Sequence, residues 1–192
     1  TIAVPQFVSL LLMRNFLNDN GPLNGLLQSL HLIQHPIPFL SDPVWAKFSI
    51  ILVNMWIGIP FTMLVATGII MNLPSEQIEA AEIDGASKLQ IFKSITFPQI
   101  LLIMAPSLIQ QFIGNINNFN VIYFLTGGGP TNSSYYQAGS TDLLVTWLYK
   151  LTVSAKDYNL ASVIGILIFA ISAAFSLLAY TRSASFKEGT AK

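Results

Sequence analysis

The sequence has no cysteine and very few charged residues. Without cysteine the chain forms no disulfide and offers no thiolate for catalysis or for a structural zinc site. Lysine, arginine, aspartate and glutamate make up 9% of the 192 residues, whereas a soluble domain carries about 25%. The formal net charge is zero, so no basic surface for nucleic acid is indicated. These shortages argue against a soluble enzyme or a nucleic-acid-binding protein and are typical of an integral membrane protein.

Apolar runs without any charge alternate with polar segments along the chain. Residues 48–71, 99–125 and 158–180 lack charged side chains and exceed the roughly 20 helical residues that cross a bilayer. A shorter apolar run at 2–17 is interrupted by Arg14. Because the chain begins inside this run and without methionine, we expect it to be the C-terminal part of a longer protein. The predicted fold is all-α, a polytopic transmembrane helical bundle with about four membrane segments, the first of them truncated.

A compact polar segment at 74–98, hereafter the elbow, separates the first two complete spans. Ser75 is the predicted cap of a first short helix, and Asp84 that of a second. Gly85 between them tolerates the bend that ends the first helix. The second helix is expected to present an apolar side formed by Leu89, Phe92 and Ile95. A two-helix elbow with an exposed apolar side is typical of a surface that docks into another protein.

A second polar segment, at 126–157, begins with a glycine-rich turn and is predicted to lie outside the membrane. The helical spacing of its apolar residues predicts a helix in the membrane interface, capped by Ser140 or Thr141. The residues that carry this pattern are Leu144, Trp147, Leu148 and Leu151. The transmembrane domain would thus cover 1–182, and a polar cytoplasmic tail would follow at 183–192.

The most informative feature inside the predicted spans is a set of amides spaced four and three residues apart: Gln111, Asn115 and Asn118. That spacing predicts one shared helix face. An amide moved into a medium without hydrogen-bond partners costs roughly 4–8 kcal/mol, so this face must meet water, a solute or partner helices. Two interpretations stay open: a binding face for a hydroxyl-rich solute, and hydrogen bonds that hold helices together.

The preceding span carries a second such face, with Asn54, Gly58 and Phe61 at the same spacing. Glycine allows close approach of a ligand, and the phenylalanine ring is suited to stacking on a sugar. The alternative is helix packing through small residues.

The motif Glu79-Ala80-Ala81, followed by Gly85, Ile95 and Pro98, resembles the coupling loop of importer-type ABC permeases. Further matches, among them 54–60, 115–119, 127–130 and 141–145, extend the similarity over essentially the whole chain. They resemble the maltose/maltodextrin (MalF-type) sugar branch of the binding-protein-dependent transport family. The resemblance implies a multi-pass protein of the bacterial inner membrane that forms the translocation path for a sugar.

The resemblance also implies partners and site residues. The expected partners are ABC ATPase subunits, a second permease subunit, an extracytoplasmic sugar-binding protein, membrane lipid and the sugar. The implied substrate-binding residues are Gln6, Ile57, Gly58, Phe61, Asn115 and Asn118. The implied ATPase-coupling residues are Glu79, Ala80, Ala81, Asp84, Gly85, Leu89, Phe92, Ile95 and Pro98.

Other functions remain open at this level. The same family includes permeases for other oligosaccharides or for glycerol phosphate, although a charged solute predicts basic residues at midplane and the spans have none. The alternative from a different class is an intramembrane enzyme or a channel. An enzyme would need ionisable groups at depth, which the complete spans also lack. The phosphate-binding pattern G-x-x-x-x-G-K-[ST] is absent, so we expect ATP to be bound by a partner subunit. We predict no catalytic residue, no metal site and no cofactor in this chain.

Overall fold

A computed structural model describes residues 3–182, and the secondary structure there is helical apart from an isolated antiparallel bridge between Thr131 and Gly139. The predicted all-α class is therefore confirmed. The predicted tail at 183–192 lies outside the described residues. The helices are α1 (Gln6–Phe16), α2 (Pro22–Ser29), α3 (Pro43–Met71), α4 (Ser75–Ile83), α5 (Lys88–Ile91), α6 (Phe97–Ile116), α7 (Phe119–Leu125), α8 (Leu144–Lys150) and α9 (Tyr158–Arg182).

Three helical stretches in the described part of the chain are long and apolar enough to cross a membrane: Pro43–Met71, Lys88–Ile116 and Tyr158–Ala179. The first and third contain the predicted spans at 48–71 and 158–180 almost completely. Helix α1 has 11 residues, about 16 Å of helix, which is short for a bilayer core of about 30 Å.

The second span differs from the prediction of 99–125, which is wrong at both ends. Its helix ends at Ile116, because Asn118 leaves helical geometry and its side-chain oxygen accepts the backbone N–H of Val121 to cap α7. At the other end α5, a π-helical turn at Phe92–Thr96 and α6 run on without interruption. Within that turn Phe97 N–H donates to Phe92 five residues back, just before Pro98, which has no N–H to offer.

The chain divides into two compact units. The first combines Thr1–Ile59 with Gly114–Ala173, and its core joins α1 to α7. Leu10 and Leu17 lie two helical turns apart and therefore project from the same side of α1 into this core. The other buried members are Val53, Val121 and Leu125, and a smaller cluster comprises Leu151, Ala161 and Ile164.

The connection at 18–43 in this unit is folded and not slack. The buried amide of Asn24 both donates to and accepts from the backbone of Ile37, each at 2.9 Å. The Ser49 hydroxyl donates to the Phe39 carbonyl at 2.9 Å and fixes the end of the connection on α3. These bonds satisfy backbone groups that would otherwise be stranded near the apolar core.

The second unit combines Pro60–Ile113 with Ala174–Lys192 and contains the elbow. The elbow has the two short helices that the sequence predicts, but the caps differ. Helix α4 starts after Pro74, and the Ser75 side chain does not cap it. Asp84 ends α4 and does not start α5; Ser87 caps α5 instead, in a reciprocal pair with Gln90.

Gly85 is where the sequence places the bend. Its φ is +79°, in the left-handed region that favours glycine. Its N–H donates to Glu82 and the next N–H, of Ala86, donates to Ala81, each at 3.0 Å. This is the paired bonding of a Schellman motif, which closes a helix and turns the chain away from it.

Candidate functional site

Three asparagines of the first unit form one hydrogen-bonded amide cluster. Asn54 of α3 donates to the Oδ1 of Asn115 at 2.9 Å, and Asn118 donates to the Oδ1 of Asn54 at 2.9 Å. The contact from Asn118 to Asn115 is longer, at 3.5 Å. Residues 61 and more positions apart in sequence thus meet, and the two faces predicted from spacing converge through them.

The cluster reaches its geometry by a route that the sequence did not predict. Asn115 lies in the last turn of α6, but Asn118 lies beyond the helix end, so the two do not share one helix face. They approach each other because the chain breaks at Asn118 and turns back. Asn118 thereby serves twice: its oxygen caps α7 while its nitrogen bonds Asn54.

Each carboxamide oxygen has two lone pairs and each nitrogen two protons, so one amide can take part in several hydrogen bonds at once. Asn115 is exposed, and Asn54 and Asn118 are half-buried, which keeps the cluster accessible. The observed bonds join α3 to the break between α6 and α7, and solute binding by the same amides stays a prediction.

Gln111 does not belong to this cluster. It lies in the second unit, where its Oε1 accepts from the Thr62 hydroxyl at 3.0 Å. Gln111 and Asn115 both lie on α6, but Asn118 lies beyond its end, so the predicted face of three amides is wrong. Thr62 is a partner that spacing alone did not identify.

Gly58 and Ile57 follow Asn54 by about one turn on α3. A Cβ atom added to Gly58 would meet nothing within 4 Å apart from its own helix, so there is open space beside α3 at this position. Phe61 lies on the same helix but in the second unit, and its side chain is 49% exposed.

Gln6, in the first turn of α1, accepts a hydrogen bond from Asn120 Nδ2 at 3.2 Å. Both side chains are exposed, and α1 packs against α7 more extensively than any other pair of helices does. Asn120 was not among the predicted site residues. Asn120 lies two residues after Asn118, beyond the end of α6. The sequence did not reveal that helix end, so it gave no reason to place Asn120 near Gln6.

An aromatic cluster follows the amides along α7. Phe119 and Tyr123 stack with centroids 4.9 Å apart, and Tyr149 of α8 meets both rings edge-on at 5.1 Å. The hydrogen bond with Tyr123 and the proximity of that phenol raise the pKa of Tyr149, which stays protonated at neutral pH. These rings fix α8 against α7.

The predicted coupling residues lie along the elbow. Glu79, Ala80 and Ala81 are on α4, while Asp84 and Gly85 form the bend. The remaining positions are Leu89 on α5, Phe92 and Ile95 in the π-helical turn, and Pro98 in the first turn of α6.

The apolar side of the elbow is narrower than its spacing predicts. Leu89 and Phe92 are 63% and 47% exposed, and Ile83 at the end of α4 is 86% exposed. Ile95 is half-buried, because the wider π-helical turn moves it toward a cleft of about 370 Å³ inside the elbow. Ile91, which is buried, lines the same cleft beside Gly85. The elbow thus offers exposed apolar side chains on a frame that carries its own small core.

The segment at 126–157 in the first unit contains an ion pair that no motif indicated, hereafter the clasp. Lys150 Nζ lies 2.6 Å from Asp142 Oδ2, and the same oxygen accepts Gly139 N–H at 2.7 Å. The Asp142 side chain is only 3% exposed, and its other oxygen occupies the space that a side chain at Gly128 would need.

The predicted cap of α8 is wrong. Thr146 bonds both backbone groups of Leu143 at 3.0 Å, while Thr141 donates to Gly129 instead. Thr141 therefore belongs to the glycine-rich turn and not to the helix.

Comparison with known proteins bears directly on this arrangement. The family model of binding-protein-dependent transport system inner membrane components matches residues 1–185. The galactooligosaccharides transport system permease protein GanP of Bacillus subtilis is 40% identical over 189 residues, covering 97% of this chain and 44% of the relative. The maltodextrin permease protein MdxF of the same organism is 39% identical, with coverages of 96% and 44%.

The maltose/maltodextrin permease protein MalF of Vibrio parahaemolyticus is 39% identical over 92% of this chain and 34% of its own length. The chain thus spans less than half the length of these curated relatives. A chain from the crystal structure of a bacterial ABC transporter for the acidic polysaccharide alginate matches with a TM-score of 0.78 and 25% identity, over 92% of this chain and 59% of that chain. The three apolar helices, the elbow and the family match agree with a multi-pass membrane location. The chain belongs to the family of binding-protein-dependent transport system inner membrane components.

Proposed function

We propose that the chain is part of the membrane-spanning subunit of an ATP-driven importer for a neutral oligosaccharide, a maltodextrin or a closely related sugar. The observation that carries the proposal is the accessible amide cluster of Asn54, Asn115 and Asn118. Relatives named as maltodextrin, maltose and galactooligosaccharide permeases support the choice of solute class.

The amide cluster suits a sugar because carboxamides donate and accept hydrogen bonds, as sugar hydroxyls do. A solute that binds here exchanges amide–amide bonds for amide–hydroxyl bonds, so little hydrogen-bond energy is lost. The open space beside Gly58 lets a ring approach α3 one turn away.

A neutral solute fits better than an acidic one. The crystal structure of the alginate importer concerns an acidic polysaccharide. In the present chain residues 48–71, 99–116 and 158–179 contain no lysine, arginine or histidine to balance carboxylates or phosphates at depth. Glycerol phosphate and alginate are therefore the less favoured solutes.

We infer that the elbow transmits the ATPase cycle to these helices. The sequence lacks a phosphate-binding loop, so ATP would be bound and hydrolysed by partner subunits. The exposed Leu89 and Phe92, with acidic Glu79 and Glu82 on the neighbouring helix, give such a partner apolar and charged contacts. A second permease subunit and an extracytoplasmic sugar-binding protein would complete the importer. A periplasmic protein carrying an alginate pentasaccharide accompanies the alginate importer in its crystal structure.

An intramembrane enzyme or a channel is less well supported. Chemistry at depth needs ionisable groups, and the central parts of the three spans contain none.

The test is transport by the complete importer reconstituted in vesicles. Labelled maltodextrin, a galactooligosaccharide, an alginate oligosaccharide and glycerol phosphate are offered separately, with and without ATP. We expect ATP-dependent uptake of a neutral oligosaccharide. ATP-dependent uptake of only the acidic solutes, or uptake of none, would contradict the proposal.

A further inference from the structure

A cavity with a mixed polar and apolar lining lies in the first unit, outside the three candidate spans. It has a volume of about 640 Å³, within the roughly 300–1,000 Å³ typical of small-molecule sites. Most of its lining comes from the segment after α7. The remainder comes from the end of α8 and from the π-helical turn at Leu151–Ala155. The side chains that give the cavity its character are Thr131, Asn132, Ser133, Gln137, Lys150 and Ser154.

Hydrogen bonds within the loop between α7 and α8 hold the walls of the cavity in place. Across the neck of the loop, Ser140 N–H donates to Pro130 at 2.8 Å and the Thr141 hydroxyl donates to Gly129 at 2.6 Å. The clasp, between Asp142 and Lys150, joins the same part of the loop to α8. At the far side Trp147 Nε1 donates to the Tyr136 carbonyl at 2.8 Å. A loop anchored at both ends and at its middle keeps the cavity open, which lowers the entropy lost on binding.

Several polar side chains in this cavity are available to a ligand. Ser133, Gln137 and Ser154 make no side-chain hydrogen bond to any other residue that the structure describes. Gln137 also holds a φ of +57°, which is uncommon for a residue other than glycine, asparagine or aspartate. Gln137 thus places an amide side chain in the cavity at a position where glycine would have less backbone strain.

The charge of the cavity favours a neutral ligand. Its ammonium group, on Lys150, is already 2.6 Å from the Asp142 carboxylate and is neutralised by it. The other polar side chains of the lining carry hydroxyls and amides, which match a polyhydroxylated solute and give an anion no net attraction.

Helix α7 connects this cavity to the amide cluster. Asn118 caps the start of the helix and belongs to the cluster, while Thr126 caps its end and lines the cavity. Eight residues at 1.5 Å each place the two sites about 12 Å apart along the helix. Both lie in the same compact unit.

We propose that this cavity is an outer binding site for oligosaccharide, which holds the part of a long solute that extends beyond the amide cluster. The proposal rests on the proposed function and goes beyond it, because it predicts that chain length decides whether the outer site is used. A disaccharide bound at the cluster would leave the cavity empty, whereas a longer chain would reach it.

Binding is tested by cysteine labelling, which the absence of native cysteine in this chain makes clean. Ser133→Cys lines the cavity, and Ser134→Cys is a matched control on the adjacent exposed residue outside it. Both are introduced into the full transporter, stripped of any other cysteine and of the extracytoplasmic binding protein. A longer maltodextrin is expected to slow maleimide labelling at 133 about threefold to tenfold and to leave 134 unchanged, while maltose changes neither. Equal rates at 133 with and without maltodextrin, or slowing only when the binding protein is added, would overturn the proposal.

Transport gives an independent readout. Gln137→Gly removes the amide and relieves the backbone strain, so loss of folding does not confound it. His31→Gly is the matched control, since His31 also has a positive φ and is not among the residues that line the cavity. We expect Gln137→Gly to raise the KM for long maltodextrin uptake about threefold to tenfold, with the KM for maltose and both kcat values unchanged. An equal change for both sugars, or no change, refutes the outer site, whereas a wild-type importer that moves no neutral oligosaccharide refutes the proposed function.

Discussion

Gly85 provides the sharpest test of the elbow, and the change to make is Gly85→Val. A valine Cβ would meet no atom within 4 Å, so the substitution creates no clash. Its cost comes from the backbone alone, because a φ of +79° is strained for an L-residue by roughly 1–2 kcal/mol and more for a β-branched one. A strain of 1.4 kcal/mol changes a local equilibrium about tenfold. We therefore expect the Schellman bonds from Gly85 and Ala86 to open about tenfold more often than in the unmodified chain.

Opening that bend re-aims Leu89 and Phe92 relative to α4 without disturbing the helices that cross the membrane. The expected result is an inserted permease in which ATPase binding is weakened, or in which ATP hydrolysis continues with little sugar uptake. Co-purification of the ATPase subunit, sugar uptake and ATP turnover are measured on the same vesicles.

Gly85→Asn serves as a graded variant, because asparagine tolerates the left-handed region better than valine does. Its coupling defect should fall between that of wild type and that of Gly85→Val. Wild-type values in all three assays for the valine variant would refute the inference that this bend positions the coupling surface.

Three further predictions concern the first unit and its control positions. Gly58→Ala and Gly68→Ala both add a methyl to open space on α3, so both should fold normally, and only the former should lower sugar uptake in vesicles. Asn115→Leu should abolish uptake while the subunits still co-purify, since it removes the acceptor of a 2.9 Å bond and leaves a partner unpaired at about 1–3 kcal/mol; failed assembly would indicate a packing role instead. Gly128→Ala should lower the unfolding temperature of the purified complex more than Gly127→Ala, because both have positive φ but only position 128 faces the clasp; equal shifts would contradict this.

The elements that the sequence predicted well depend on local patterns. The spans at 48–71 and 158–180 are long charge-free runs, which have few alternatives to a transmembrane helix. Gly85 was predictable because a glycine between two short helical patterns marks the bend itself.

What the sequence missed depends on contacts between distant residues or on competition within one turn. Apolar periodicity continues through Asn118, but its side chain competes for backbone N–H groups and ends the helix. The pairing of Asp142 with Lys150 depends on the folded path of the loop between α7 and α8, which places Asp142 against Gly128. No spacing rule predicts that path. The pairing of Asn54 with Asn115 likewise required the fold, although the sequence had named both residues as polar positions of interest.

The π-helical turn at Phe92–Thr96 has a geometric consequence for the elbow. Each residue of an α-helix advances the chain by about 100° around the helix axis, so the extra residue of a π-helical turn fixes the azimuth of everything before it. The hydrogen bond from Phe97 N–H back to the Phe92 carbonyl spans five residues where a regular α-helix spans four. That spacing, and not a flexible joint, sets the direction of helices α4 and α5. Removing one residue from this turn would restore regular α-helix and rotate the docking side chains by more than a quarter of a circle. If the elbow docks on an ATPase as proposed, the length of the stretch from Lys88 to Pro98 matters to that surface as much as the side chains it carries.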